Sequence, residues 1–148
     1  MNLTNHFTLE EFERSQTAIR HGIDNSVPTN LMPNMQRTAE MMEEVRNILL
    51  GRGIQVTSGY RCRELEIKIS GKAYGAHMLA LACDFVCPTF GSPLEIARTL
   101  STSLSDFDQI IWEGTWVHLG LSEAAQRKQL LTAKFIGGKA IYSVGFNP

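Results

Sequence analysis

The sequence predicts an α+β fold: a mostly antiparallel, hairpin-connected sheet with helices packed on it. Two observations carry this. Stretches with apolar residues at helical spacing are interleaved with short strand-like runs. Two pairs of strand-like runs, Phe107 to Glu113 with Trp116 to Leu121 and Lys128 to Phe135 with Lys139 to Val144, are each separated by a glycine-containing turn. The chain has 148 residues, 43% of them hydrophobic and 20% charged, enough for one domain over 1–148 with a core of its own.

The elements follow in order. Thr8-Leu9-Glu10-Glu11 reads as a capping box that opens a short helix, with Leu9 and Phe12 as its apolar stripe. Residues 20–34, with Gly22, Pro28 and Pro33, read as a loop. From Asn34 to Leu50, Met35, Ala39, Met42, Val45 and Leu49 recur at helical spacing, and Gly51 and Gly53 end the helix. Ile54 to Ser58 alternates as a strand and turns at Gly59-Tyr60-Arg61. Leu79 to Val86 is an apolar run long enough for a second strand. Ser92-Pro93-Leu94-Glu95 is another capping box, with proline at the first helical position, and its helix runs to about Ser103.

Composition narrows the function. A net charge of −1 and the absence of a basic run disfavour nucleic acid as a partner. No apolar stretch approaches the roughly 20 residues that cross a bilayer, so no membrane partner is expected. The first residues, Met1 to Glu13, are mixed and acidic and do not resemble a secretion signal. The expected product is made in the cytoplasm and acts as a monomer. The odd cysteines, Cys62, Cys83 and Cys87, imply no disulfide framework and read as buried thiols.

The candidate chemistry begins with Asp84, which interrupts the apolar run 79–86. A carboxylate there either faces solvent or an arginine at a strand end, or it binds a metal. His77 lies seven residues earlier. An odd spacing would place the two on opposite faces of one strand, so the chain must bend between them, with His77 in the preceding loop. In Trp116 to Leu121, residues 117, 119 and 121 are apolar, while Trp116, His118 and Gly120 form the other face: an aromatic wall, a ligand and an open space.

The Gly114-Thr115 turn sets a register. It pairs Glu113 with Trp116, Ile111 with His118 and Gln109 with Gly120, all on one side. Glu113 and His118 become diagonal neighbours, roughly 7–8 Å apart at the backbone. His77, Asp84 and His118 are thus expected to hold one catalytic Zn²⁺ with an open fourth position, and Glu113 to act as general base. Arg61, just after the Ser-Gly-Tyr turn, is the cation expected to hold a substrate carbonyl or carboxylate, its alternative being a structural arginine. Trp116, Tyr60 and Gln109 are expected to contact substrate.

These residues also carry a family resemblance. Ser58-Gly59-Tyr60-Arg61, His77 with Asp84, Asp108 to Glu113 and Trp116-Val117-His118 resemble the zinc D-alanyl-D-alanine carboxypeptidases and their phage-type relatives, which share the hedgehog/DD-peptidase fold. The opening His6 to Phe12 and the stretch Thr17 to Asn25 are similar too, and the likeness runs from about residue 5 to about residue 145. The resemblance implies His77, Asp84 and His118 as zinc ligands, Glu113 as base, and Arg61 as the group that stabilises the carbonyl oxygen or reads the peptide. It implies hydrolysis of peptidoglycan stem peptides or cross-links by a D,D- or L,D-type peptidase, an endolysin-like activity. The alternative is a non-catalytic wall-binding or virion structural protein that keeps the fold and the zinc. A wall-acting protein without a signal needs lysis, a virus particle or an export route to reach its substrate, which favours a phage product. The chain departs from the family pattern Ser-x-His-x-x-Gly-x-Ala-x-Asp at Gly75, where the serine that helps bind substrate belongs, and at Ala80, where the glycine belongs. Glu66 stands at a usual asparagine and Ser70 at the first of a usual glycine pair.

Overall fold

The computed structural model describes residues 1–148. Five α-helices, α1 (Leu9–Glu13), α2 (Gln16–His21), α3 (Met32–Ile48), α4 (Arg63–Ser70) and α5 (Pro93–Ser103), accompany six strands. The strands are β1 (Gln55–Ser58), β2 (Ala82–Val86), β3 (Gln109–Trp112), β4 (Val117–Gly120), β5 (Gln129–Ile136) and β6 (Lys139–Val144). They form one sheet in the order β1-β2-β4-β3-β5-β6.

The α+β class holds, and four of the five pairings are antiparallel. The sheet is mixed, however, because β5 runs parallel to β3. Only β3–β4 and β5–β6 are hairpins, so the expected hairpin connection fails for the other strands. The cause lies in residues 121–128, which carry the chain back past β3 instead of turning beside β4. Asp108 fixes the end of this return: its carboxylate accepts from the Arg127 backbone N–H (3.0 Å), Nε (2.9 Å) and a terminal guanidinium nitrogen (2.7 Å). The backbone of Phe107 and Asp108 then receives the N–H groups of Lys128 and Gln129.

Period-two geometry gives the sheet two unlike faces. Cys83 and Phe85 of β2, Val117 and Leu119 of β4 and Ile110 of β3 point into the apolar core. There they meet Met35, Ala39, Met42 and Val45 of α3 and Ile96, Ala97 and Leu100 of α5. Asp84, His118 and Ile111 alternate with these residues and share the opposite face, in register with one another and with Leu131 of β5. Fully burying one Met, Leu, Ile or Phe side chain contributes about 1.5–3 kcal/mol. The core face therefore fixes which way the polar face points.

The capping box at Thr8 forms as expected, with Glu11 N–H donating to the Thr8 hydroxyl and Thr8 N–H to the Glu11 carboxylate. The long helix begins two residues earlier than expected, with Pro33 in its first turn. The expected loop 20–34 is shorter, because α2 runs to His21 and a 3-10 turn occupies Thr29–Leu31. The run 79–86 is divided: a 3-10 turn over Ala76–Leu79 carries His77, Ala80 is left-handed, and β2 begins only at Ala82. No helix is long and apolar enough to cross a membrane.

The contact with Arg127 first, with burial opposing it, holds the Asp108 carboxyl below its ordinary range. A depressed carboxylate stabilises the fold above its unfolded-state value, near 3.8, and loses that contribution as pH falls through the folded value. Asp108→Asn should therefore lower the melting temperature by a few degrees at pH 7. The difference from the parent chain should shrink in melts below about pH 4.

Candidate metal centre

Asp84 sits in the middle of β2, between Ser58 of β1 and His118 of β4 as its direct cross-strand partners. Register alone thus delivers one histidine to the carboxylate. His118 Nδ1 lies 2.9 Å from Asp84 Oδ1. The second histidine arrives from the 3-10 turn, with His77 Nε2 3.3 Å from the same oxygen. The two imidazole rings meet nearly edge to face, 5.0 Å between centroids. All three side chains are buried, and one ligand atom from each lies within 4.8 Å of the others.

The donor set fits zinc on three counts. Two imidazoles and a carboxylate are ordinary zinc ligands. Ligand bonds of about 2.0–2.2 Å at tetrahedral angles put neighbouring donors roughly 3.3 Å apart, close to the spacings here. The third count is outside the ligands: His77 Nδ1 donates to the Gly59 carbonyl at 2.6 Å, which fixes the proton on Nδ1 and leaves the Nε2 lone pair facing Asp84. Three protein donors leave a fourth position, the pattern of a catalytic site.

At Asp84 the electrostatics favour a metal. Burial alone would raise the Asp84 carboxyl, but His77 and His118 together outweigh it and hold the group far below the usual carboxylate range. Burial works the other way on His118, where the hydrogen bond and charge of Asp84 prevail and raise its value. The carboxylate is ionised throughout the neutral range, as a metal ligand must be.

The backbone around His77 is unusual. Gly75 has φ +129° and ψ 172°, a shape that L-residues rarely adopt. Ala80, buried, is held at φ +57°, where an L-residue costs about 1–2 kcal/mol. Hydrogen bonds from α3 hold this turn in place: Thr38 Oγ1 to the Ala80 carbonyl (2.8 Å) and Asn34 Nδ2 to the Leu79 carbonyl (3.0 Å).

Glu113 lies beside the cluster. The observed pairs Gln109–Gly120 and Ile111–His118 are those set by the Gly114-Thr115 turn, and Glu113 N–H donates to the Trp116 carbonyl at 3.1 Å. The Glu113 carboxylate accepts from Trp116 Nε1 at 3.0 Å, so Trp116 pins the acid as well as walling the cleft. Burial, then the nearby Asp84 charge, raises the Glu113 carboxyl above its ordinary value. The space expected at Gly120 is already in use: a Cβ there would lie 3.4 Å from His118 Nε2.

Arg61 also reaches the cluster, through a terminal guanidinium nitrogen 3.2 Å from Asp84 Oδ2. Its Nε donates to Ser58 Oγ (2.9 Å) and its other terminal nitrogen to both Glu66 oxygens (3.3 Å each). Each of its three nitrogens is therefore engaged within the protein. Tyr60 is not brought to the site: it is buried in the core cluster, and its backbone is tied to Phe12 and Asn25. Gln109 shares the polar face but donates to Gln129 at 2.8 Å.

Three residues beside the cluster were not among the site residues expected from sequence, Glu66 being noted only as a departure from the family pattern. Glu66 lay on a helix with no capping signature, since Cys62 makes no side-chain cap. Phe135 packs against Trp116, 5.7 Å between centroids. Tyr142 pairs with Ala133, which continues the β3–β5 register to the level of Glu113, and its phenol is raised first by burial and then by Glu113, Asp84 and Glu66. Parity along β5 and β6 would have found the last two, given the parallel β3–β5 pairing.

Two histidines and an aspartate form a group able to hold a metal ion, with the Glu113 carboxylate beside them. A family model described as Peptidase M15 matches residues 5–120, and the chain belongs to this family. M15 peptidases depend on zinc, and His77, Asp84 and His118 form a buried group able to hold it. The chain is accordingly a metallopeptidase by family. A search of curated proteins returns no match. The β5–β6 hairpin lies beyond the matched residues.

Gly59 gives this centre a test that leaves every ligand intact. A Cβ on Gly59 would fall 2.6 Å from the Phe12 carbonyl oxygen and 2.7 Å from its Cα. Gly59→Ala must push α1 and β1 apart, at about 1–3 kcal/mol, and shift the carbonyl that orients His77. Thermal melting should show the destabilisation, and chelator competition should show weaker zinc binding. Unchanged zinc affinity would separate the Gly59 carbonyl from the metal centre.

Proposed function

We propose that this chain hydrolyses peptide bonds in peptidoglycan stem peptides or their cross-links, as a D-Ala-D-Ala type carboxypeptidase or endopeptidase of endolysin-like action. The observation that carries the reading is the placement of Glu113 on the same sheet face as the Asp84-centred ligands, one row away. The family adds to it, since its substrates are of the peptidoglycan type. The sheet face beside the site suits short peptides of small residues: Ile111, Leu131 and Ala133 share it, with Trp116 and Phe135 as an aromatic wall.

His77 Nε2, Asp84 Oδ1 and His118 Nδ1 would hold the zinc. When bound, it supplies an acidified water and a polarised carbonyl. Glu113 takes the proton of the attacking water and passes it to the leaving amine as the amide C–N bond breaks. Trp116 Nε1 holds the carboxylate in position for both transfers. Trp116 and Phe135 limit solvent on that side.

A second reading keeps the fold and the zinc in a wall-binding or virion structural protein. It is favoured by Gly75, which lacks the hydroxyl expected there, and by Arg61, whose nitrogens are all engaged. A zinc-loaded chain that binds peptidoglycan and releases no new amino groups supports this second reading.

Mass spectrometry of digested muropeptides tests the first. Cleavage should stop on chelation and return with zinc. Glu113→Gln should lower kcat by about 10²–10⁴-fold with zinc content unchanged. Undiminished cleavage by the zinc-free protein would sink the mechanism.

A further inference from the structure

Glu66 is a carboxylate in an unfavourable place. It is 5% exposed, and a buried acid is destabilising unless paired. Its side-chain partner is Arg61, which it meets through both oxygens at 3.3 Å. Arg61 in turn is anchored by Ser58 Oγ and donates to Asp84 Oδ2 at 3.2 Å. The Asp84 carboxylate is thereby divided: Oδ1 faces both histidines and Oδ2 faces the guanidinium. Glu66, Arg61 and Asp84 form a continuous buried chain that ends at the metal position.

We propose that Glu66 and Arg61 are positioning residues for the metal centre, acting through Asp84. Arg61 holds Oδ2, so the carboxylate offers the metal a single oxygen in a fixed orientation. Glu66 keeps Arg61 in place and offsets its charge. Without that offset, a buried cation 3.2 Å from the ligand carboxylate competes with the metal for it. Carboxylate-ligand partners of this kind typically change metal affinity by about 10–100-fold.

The proposal rests on the zinc site and not on the peptidase activity, so zinc affinity by chelator competition is the primary readout. Glu66→Gln keeps an acceptor for Arg61 but loses the charge. It should bind zinc about 10–100-fold more weakly and lower kcat with little change in KM. The double variant R61M/E66M removes both buried charges and keeps the volume. Its metal-free form should melt below the parent chain, because Asp84 Oδ2 is left without its donor, and in the folded protein zinc should bind weakly. A purely structural role would not move zinc affinity in a stably folded variant. Parent-like zinc binding in E66Q and R61M/E66M overturns the proposal. So does a rise in KM alone, which would make Arg61 a substrate-binding group. A parent chain that binds zinc but cuts no muropeptide defeats the peptidase reading and leaves this one standing.

Discussion

The desolvated charge of Asp84 organises this molecule. A carboxylate only 4% exposed, in a strand otherwise devoted to the core, has lost nearly all of its water. The protein must supply donors in its place. His77 and His118 approach one oxygen and Arg61 the other, and Arg61 then requires a countercharge of its own in Glu66. Each partner comes from a different element, so the demand of one side chain ties β2 to β4, to the turn after β1, to α4 and to the 3-10 turn before β2. The same side chains, once the ring nitrogens facing Asp84 carry no proton, present an arrangement of lone pairs suited to a divalent metal.

The sheet order converts this local demand into a site. With β4 between β2 and β3, one cross-strand row runs from Asp84 through His118 to Ile111 and on to Leu131. The adjoining row brings Glu113 and Trp116 together at the hairpin end. The metal ligands and the acid are thus separated by strand geometry rather than by loop conformation, and rigid elements hold such spacings better than loops do. The His77 turn is the exception, and it is held by side chains of α3 reaching to its carbonyls.

What could be read from sequence was what short-range physics fixes. The Gly114-Thr115 turn determined a hairpin register, and the capping residues at Thr8 and Ser92 marked two helix starts. Asp84 drew attention because a charge in an apolar run demands a partner. The parallel pairing of β5 with β3 was not legible, since it depends on the Asp108–Arg127 clamp and on residues far apart in the chain. Helix α4 was missed because eight residues, half of them charged, with no side-chain cap, carry little local signal. Tyr60 shows the limit in the other direction: its position in a motif suggested the cleft, but its ring is better accommodated in the core.

The backbone at Gly75 has a consequence for how this protein can change. A side chain there would meet no neighbouring atom within 4 Å, so nothing but the left-handed dihedral keeps other residues out. A serine at this position would place an L-residue in a conformation that glycine alone tolerates well. The neighbouring Ala80 already carries such a strain. Substitution along this loop is therefore limited by backbone shape rather than by space, and a polar side chain on this side of the site has to come from another element. The β5–β6 hairpin, which lies beyond the residues matched to the family, brings Phe135 against Trp116 and Tyr142 near Glu113 from regular strand backbone instead.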